Sequence, residues 1–463
     1  MKSQETYKDP KLTSQLVDHV VKIDFKDLPK EAVEYCKLLV MDSLGVAFPG
    51  ARAPGCAEVV ELMRSWGGAP SSSILICGGK VSPPFAALAN SMMIHALDFD
   101  DTLDDSALHT FVSVLPAVLA TAEYVGGIDG KRLIAAIVLG VDVICRVSLG
   151  IRRPLSWIRT ATCGSFGAAA AVGKLLMLDK EKLTNAFGIA YAQTSGNAQG
   201  LLEGRLVKRM QPAFASQAGL NAAFLANAGI TGSHHVFEGP YGFFNLYEHG
   251  DYDVEPILRN LGSHFLILDL SIKPYPCCRM THASIDAARE LRAFVLENID
   301  DISAIDVKVS RMVAEMVGKR FAIGTDPQVD AQFSIPYTFS TMVLRGDVFL
   351  EDFETNNIMD QRRNHLAGLV QVTVDETLPV KDICISTVSI RMKDGKKYKT
   401  RIEQPSGNPA KPIGIDGCRE KFTKCISYSG FAVDKRKQEK LLTTIGCLEQ
   451  VNDVRELIEL VQI

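Results

Sequence analysis

Aromatic side chains are scarce, at 7% of the chain, and no two cysteines form a C-x-x-C pair. The eleven cysteines are odd in number and scattered from Cys36 to Cys447. That excludes a disulfide framework or zinc ribbon and predicts reduced, buried thiols in a cytoplasmic protein. Charge of one sign is also lacking: 50 Lys and Arg face 54 Asp and Glu, for a formal net charge of −4. Such a balance offers no field to hold a polyphosphate backbone, so nucleic acid is not an expected partner. Long apolar runs are missing as well, since a membrane span needs about 18 apolar residues. The stretch from Leu133 meets Asp142, and the uncharged run Ser106–Ala122 contains His109, Thr110, Ser113 and Pro116. The segment Met1–Gln15 has no apolar h-region, so no secretory signal is expected there. Nor is there a Gly-rich phosphate loop, a Rossmann fingerprint, G-x-S-x-G or H-E-x-x-H. Redox cofactors, ATP and covalent serine catalysis therefore lack sequence support, and neither cofactor nor metal is expected.

What is present is helical periodicity. With 36 Gly and 20 Pro in 463 residues the chain is ordinary globular material, long enough for two or three domains. Apolar residues at three-to-four spacing predict helices over Leu12–Ile23, Lys30–Phe48, Cys56–Trp66, Pro83–Asp98, Phe111–Val125 and Gly130–Val147. Two Ala/Gly-rich stretches, Gly164–Leu178 and Pro212–Gly229, are too apolar for surface helices and read as buried ones that allow close approach. The texture changes near residue 268. After a helix at His282–Asn298 come strand-like segments at Ala304–Arg311, Leu369–Asp375 and Thr387–Lys393. The last meets an Asp394-Gly395 turn before Lys397–Ile402, a hairpin signal. Helical patterns return from Gly417 to Val461. The expected fold is mainly α: a large all-helical domain from residues 1–268 and 405–463, with a smaller α+β lid domain, residues 269–404, inserted before the C-terminal helices.

Four polar clusters interrupt this pattern. The first runs from His95 through Asp98, Asp100, Asp101, Thr102, Asp104 and Asp105 to His109. His95, Asp98 and Thr102 are spaced to share one helical face, and five carboxylates so close must be paired, protonated or solvated. Solvation is the reading for Asp104 and Asp105, but not for Asp98, which follows a buried helix. Asp100-Asp101-Thr102-Leu103-Asp104 also fits a D-D-x-x-D magnesium pattern, but no second acidic motif supports it. The second cluster, Glu203 to Pro212, places Arg205, Lys208 and Arg209 ahead of a buried helix, where an anion is held by charge and free N–H groups. The third, Lys273 to His282, delivers Arg279, Thr281 and His282 from a Pro-rigid loop at the domain boundary. The fourth is Gln332 to Tyr337. Imidazole, ammonium, phenol and carboxylate from four separate places are what proton transfer on a small anionic substrate requires.

Several runs carry a resemblance: HALDFDDT at 95–102, HTFVSVLPAVLA at 109–120, TATCGSFGAAAA at 160–171, LVKRMQPAFASQAGL at 206–220, KPYPCCRMTHASIDAA at 273–288 and QFSIPYT at 332–338. In order and over most of the chain they resemble the MmgE/PrpD family, which includes 2-methylcitrate dehydratase, cis-aconitate decarboxylase and iminodisuccinate epimerase. The resemblance implies a helical domain with an α+β lid, a homodimer, and cofactor-independent chemistry on small di- or tricarboxylates between the domains. It implies site positions at Asp98, Thr102, His109, Lys208, His282 and Tyr337. In these roles Lys208 neutralises a carboxylate, His109 and His282 move protons or hold carboxylates, and Tyr337 donates from the lid. Asp98 and Thr102 orient the histidines or bind substrate hydroxyls, and Arg279 is a further anion clamp. Three departures stand out: Ile158 where the family often has His, Met210-Gln211 in place of Leu-His, and His109-Thr110-Phe111 in place of His-Pro-Ser. Arg159 is a compensating cation, and Arg159 and Gln211 join the expected substrate-binding set. The expectation is a lyase acting by proton abstraction next to a carboxylate. An epimerase and an inactive dimeric carboxylate binder are the alternatives.

Overall fold

The computed structural model describes residues 11–153, 157–324 and 326–463. Helices dominate, as the periodicity predicts, and the one sheet of more than two strands among the described residues has four. Its order is Val370–Val374, Ile302–Val309, Ser386–Met392, Lys397–Ile402. The first pair is parallel, with Ile305 opposite Val370, and the other two pairs are antiparallel. The Asp394-Gly395 hairpin is present, with Gly395 at φ 88°.

Buried apolar side chains fall into two clusters. One gathers residues from Leu12 to Ile272, adds Phe349 and Leu350, and closes with the C-terminal helices from Cys418 to Val461. The other spans Tyr275 to Ile402. In the first, small residues do what the Ala/Gly-rich stretches suggest. A Cβ on Gly140 would lie 2.6 Å from the Ala171 Cβ, and one on Gly219 would lie 2.5 Å from the Ala168 Cβ. The helices Gly130–Leu149, Gly164–Leu175 and Val207–Asn227 therefore touch almost backbone to backbone. The cysteines are all free; Cys447 is exposed, and Cys77 and Cys384 are half-buried. No helix among the described residues is long and apolar enough to cross a membrane.

Two boundaries differ from expectation, and both matter for the site. The helix predicted over Pro83–Asp98 ends at His95. Asp98 then takes a left-handed backbone, φ 53°, so His95, Asp98 and Thr102 do not share a helical face. Tertiary contacts decide this end. The carbonyls of Leu97, Asp98 and Phe99 accept from Gln332 Nε2 at 2.9 Å, Lys273 Nζ at 2.8 Å and Lys421 Nζ at 2.7 Å. These bonds supply the donors that a helix terminus lacks and hold the loop open. Conversely, the helix expected from Pro212 starts at Val207. That places Lys208 and Arg209 in its first turn instead of in a preceding loop.

Candidate active site

The loop after His95, the first turn of Val207–Asn227, the Lys273–His282 run and the short helix Arg159–Thr162 meet around a cavity of about 200 Å³. Its polar lining comprises His95, Asp98, Thr102, His109, Lys208 and Lys273, with Arg159, Thr160 and Arg279. Apolar side chains, among them Ile158, Leu201, Leu202, Met280, Met316, Phe333 and Ile383, complete it.

Asp98 is the pivot. Its Oδ1 accepts from Lys208 Nζ at 3.0 Å, and its Oδ2 lies 3.5 Å from Lys273 Nζ, which is already bonded to the Asp98 carbonyl. Burial alone would push the Asp98 carboxyl up, but Lys208 and Lys273, with His109 and His95, outweigh it and hold its pKa well below the usual range. Lys273 is fully buried, and Asp98 and Asp100 offset the desolvation that disfavours its charge. The left-handed backbone at Asp98 is the strained element that turns this carboxylate toward both lysines.

His109 has a defined tautomer. Its Nδ1 lies 2.7 Å from the Asp101 carbonyl oxygen, which can only accept, so the ring proton sits on Nδ1 and Nε2 is left with its lone pair. Burial, opposed by Asp100, pushes its pKa down to about 3, so the ring is neutral at pH 7. The His95 ring stands edge-on to it at 4.9 Å between centroids, with Nδ1 2.8 Å from Asp100 Oδ2. Asp101, beneath them, accepts from the Thr110 and Phe111 amides and the Thr110 hydroxyl, at 2.9, 3.1 and 2.7 Å. It anchors the start of the helix Phe111–Val125 and with it His109. Burial and the neighbouring Asp100 push its carboxyl up to about 7. Among the described residues, His95, Asp100 and His109 have donor atoms within 4.8 Å of one another, close enough for a cation. In both rings Nδ1 lies within hydrogen-bond reach of an oxygen.

Arg279 lines the same cavity but is fully engaged. Nε and Nη2 clamp the Asp104 carboxylate at 3.0 Å each, and Nη2 also reaches Ser271 Oγ. Nη1 donates to the Ser406 carbonyl at 2.8 Å and to His282 Nδ1 at 3.2 Å. A guanidinium only donates, so His282 carries its proton on Nε2, 3.3 Å from the Cys277 carbonyl. Both nitrogens of this fully buried ring are therefore occupied. Asp104, expected in water, is buried and also accepts from Ser271 and Asn408, whereas Asp105 is exposed.

The remaining expected residues are divided. Thr102 lines the cavity from a two-residue strand paired with Leu270–Ser271. Arg159 lines it with Nη1 on Ser106 Oγ at 3.2 Å and Nη2 on the Arg153 carbonyl at 2.8 Å; among the described residues no carboxylate forms an ion pair with it. Gln211 lies outside the lining and clasps the backbone of Asn197, accepting at 2.7 Å and donating at 3.0 Å. Tyr337 is packed in the second apolar cluster, its hydroxyl donating to the Asp352 carbonyl and accepting from Arg363. Lys273 was quoted within a sequence motif without being singled out, and His95 was placed beside Asp98 and Thr102 without a role. The signal for Lys273 was its place at the head of the Pro-rigid run that also carries Arg279.

Fold and cavity together define a two-core, mainly helical protein with a cavity lined by ionisable side chains and by residues of both cores. The MmgE/PrpD N-terminal domain model matches residues 14–255 and the MmgE/PrpD C-terminal domain model residues 275–449. The chain belongs to the MmgE/PrpD family and is an enzyme of it. Similar curated proteins include a cis-aconitate decarboxylase of Aspergillus terreus, 26% identical over 97% of this chain and 95% of that protein. The cis-aconitate decarboxylase of Mus musculus is 26% identical over 92% and 88%, and that of Homo sapiens 25% over 94% and 91%.

Proposed function

We propose that the protein is a cofactor-independent lyase that breaks a bond next to a carboxylate of a small organic acid, in the decarboxylase sense first and the dehydratase sense second. The reading includes a cytoplasmic homodimer. The observation that carries it is the neutral His109, its Nε2 lone pair unblocked, lining one cavity with the Lys208–Asp98–Lys273 group. Cations there offset the negative charge that develops beside a carboxylate when a C–C or C–H bond breaks. In the decarboxylase form, carbon dioxide leaves, its bonding pair stays on the substrate carbon chain, and a proton comes from an ammonium such as Lys208. In the dehydratase form, His109 Nε2 takes the proton next to the carboxylate, the C–H bonding pair becomes the new C=C bond, and the hydroxyl on the neighbouring carbon leaves as water with a proton from an ammonium such as Lys208. The bound acid's own negative charge raises the imidazole's proton affinity from its depressed starting point. Names of full-length relatives favour decarboxylation.

Epimerisation would need a second base across the reacting carbon. Of the expected candidates His282, Tyr337 and Lys208, the first two are hydrogen-bonded to Arg279 and Cys277 and to Asp352 and Arg363, and Lys208 donates to Asp98, which favours the lyase. Incubation with a panel of di- and tricarboxylic acids, cis-aconitate among them, in D₂O, followed by NMR, is the test. Carbon dioxide release or a new alkene is expected; His109→Gln should lower dehydratase turnover, and Lys208→Met decarboxylase turnover, by about 10²-fold or more. Equal turnover in His109→Gln would remove the base assignment. Deuterium at Cα without product would favour the epimerase, and a ligand-raised Tm with no chemistry would favour the inactive binder.

A further inference from the structure

We propose that the substrate of this cavity carries no more than two carboxylates together with an apolar arm of several carbons. This inference rests on the lyase reading above and narrows it. Two independent observations point to it. The first is charge. Four cations line the cavity, Lys208, Lys273, Arg159 and Arg279. Three carboxylates already stand against the polar lining: Asp98 on both lysines, Asp104 on Arg279, and Asp100 on His95. The two imidazoles are neutral at pH 7, their pKa values lowered by burial. Among these named groups the cations exceed the carboxylates by one. Arg279 has no unengaged N–H, so the side chains left to hold a substrate carboxylate are Arg159 and the lysine pair. A tricarboxylate would bring a third anion with nothing to meet it.

The second observation is the rest of the lining. Ile158 stands directly before Arg159, and Leu201 and Leu202 close one short helix. Met316, Phe333 and Ile383 reach the cavity from the segment that holds the second core. Leu202 is 76% exposed although it lines the cavity, an apolar side chain left uncovered at its edge. A carboxylate against these groups would lose its water and gain no donor, whereas an alkyl or alkenyl arm would release water from both surfaces. The same cavity thus takes one end of an organic acid by charge and the other by apolar contact.

The experiment is calorimetric titration of the full chain with succinate, butylsuccinate and tricarballylate, together with the turnover assay above. Butylsuccinate should bind about tenfold or more tighter than succinate, and tighter than tricarballylate. Ile158→Lys should raise tricarballylate affinity about tenfold and weaken butylsuccinate binding. Met316→Lys, at a half-buried position, is a second variant with the same expectation, should the first fail to fold. Tricarballylate binding to the unaltered protein as tightly as butylsuccinate, or tighter, would overturn the inference and leave the lyase reading standing. Preferential butylsuccinate binding without turnover of any acid would support the inference and sink the lyase. Binding of none of the three acids would overturn both.

Discussion

Two carboxylates from one short loop have opposite fates. Asp98 and Asp104 are both buried, and each is paired with cations from the Lys273–His282 run. Around Asp104 every partner is closed: Arg279, Ser271 and Asn408 converge on it, and the guanidinium has no donor left over. Around Asp98 the valences stay open, because Lys208 is 18% exposed at its side chain and makes one hydrogen bond to the carboxylate out of three possible donors. A charge cluster with unengaged donors can take a ligand, whereas one with every donor engaged holds elements together. Sequence spacing cannot tell the two apart, since both are an Asp near a basic residue.

Removing charge on each side sharpens the contrast. Asp98→Asn should have the largest effect. It leaves Lys273 buried beside Lys208 with Asp100 alone as counter-charge, which costs about 3 kcal/mol of stability and misplaces Lys208. Turnover of the folded fraction should fall about 10²-fold, read by denaturant titration alongside steady-state rates. Asp104→Asn should cost a similar stability, about 3 kcal/mol, but the folded fraction should keep its turnover within about tenfold. A collapse of kcat equal to that of Asp98→Asn would erase the distinction. The smallest effect is expected from Tyr337→Phe. Deleting a hydroxyl that bonds Asp352 and Arg363 should cost about 1 kcal/mol and leave kcat and KM unchanged. A large loss of kcat there, with Tm intact, would return Tyr337 to the site.

The helical body was legible because its signals are local. Periodic apolar residues set Cys56–Trp66 and Phe111–Val125 to the residue, and the Asp-Gly turn set the hairpin. The end of the helix at His95 was not legible, because the side chains that break it, Lys273, Gln332 and Lys421, come from far along the chain. The site was read in part. Asp98, Thr102, His109, Lys208, Arg159 and Arg279 do line one cavity. Motif resemblance names a residue type at a position but not what its polar atoms touch. His282 was therefore expected to move or hold protons and carboxylates, although Arg279 and Cys277 occupy its ring, and Tyr337 was expected to donate from the lid, although Arg363 and Asp352 engage its hydroxyl inside the second core. The apolar share of the lining was the least visible, since Leu202, Met316 and Ile383 carry no motif.

The three carbonyl clasps on Leu97, Asp98 and Phe99 also bear on biogenesis. Ribosomal synthesis delivers His95–Asp101 early and Lys421 near the close, on the helix Gly414–Ser429. The nascent loop waits, unfastened, for most of translation, and a polypeptide released before that helix lacks the last of its three clasps. Closure of the loop that carries Asp98 is thereby tied to synthesis of the helix Gly414–Ser429.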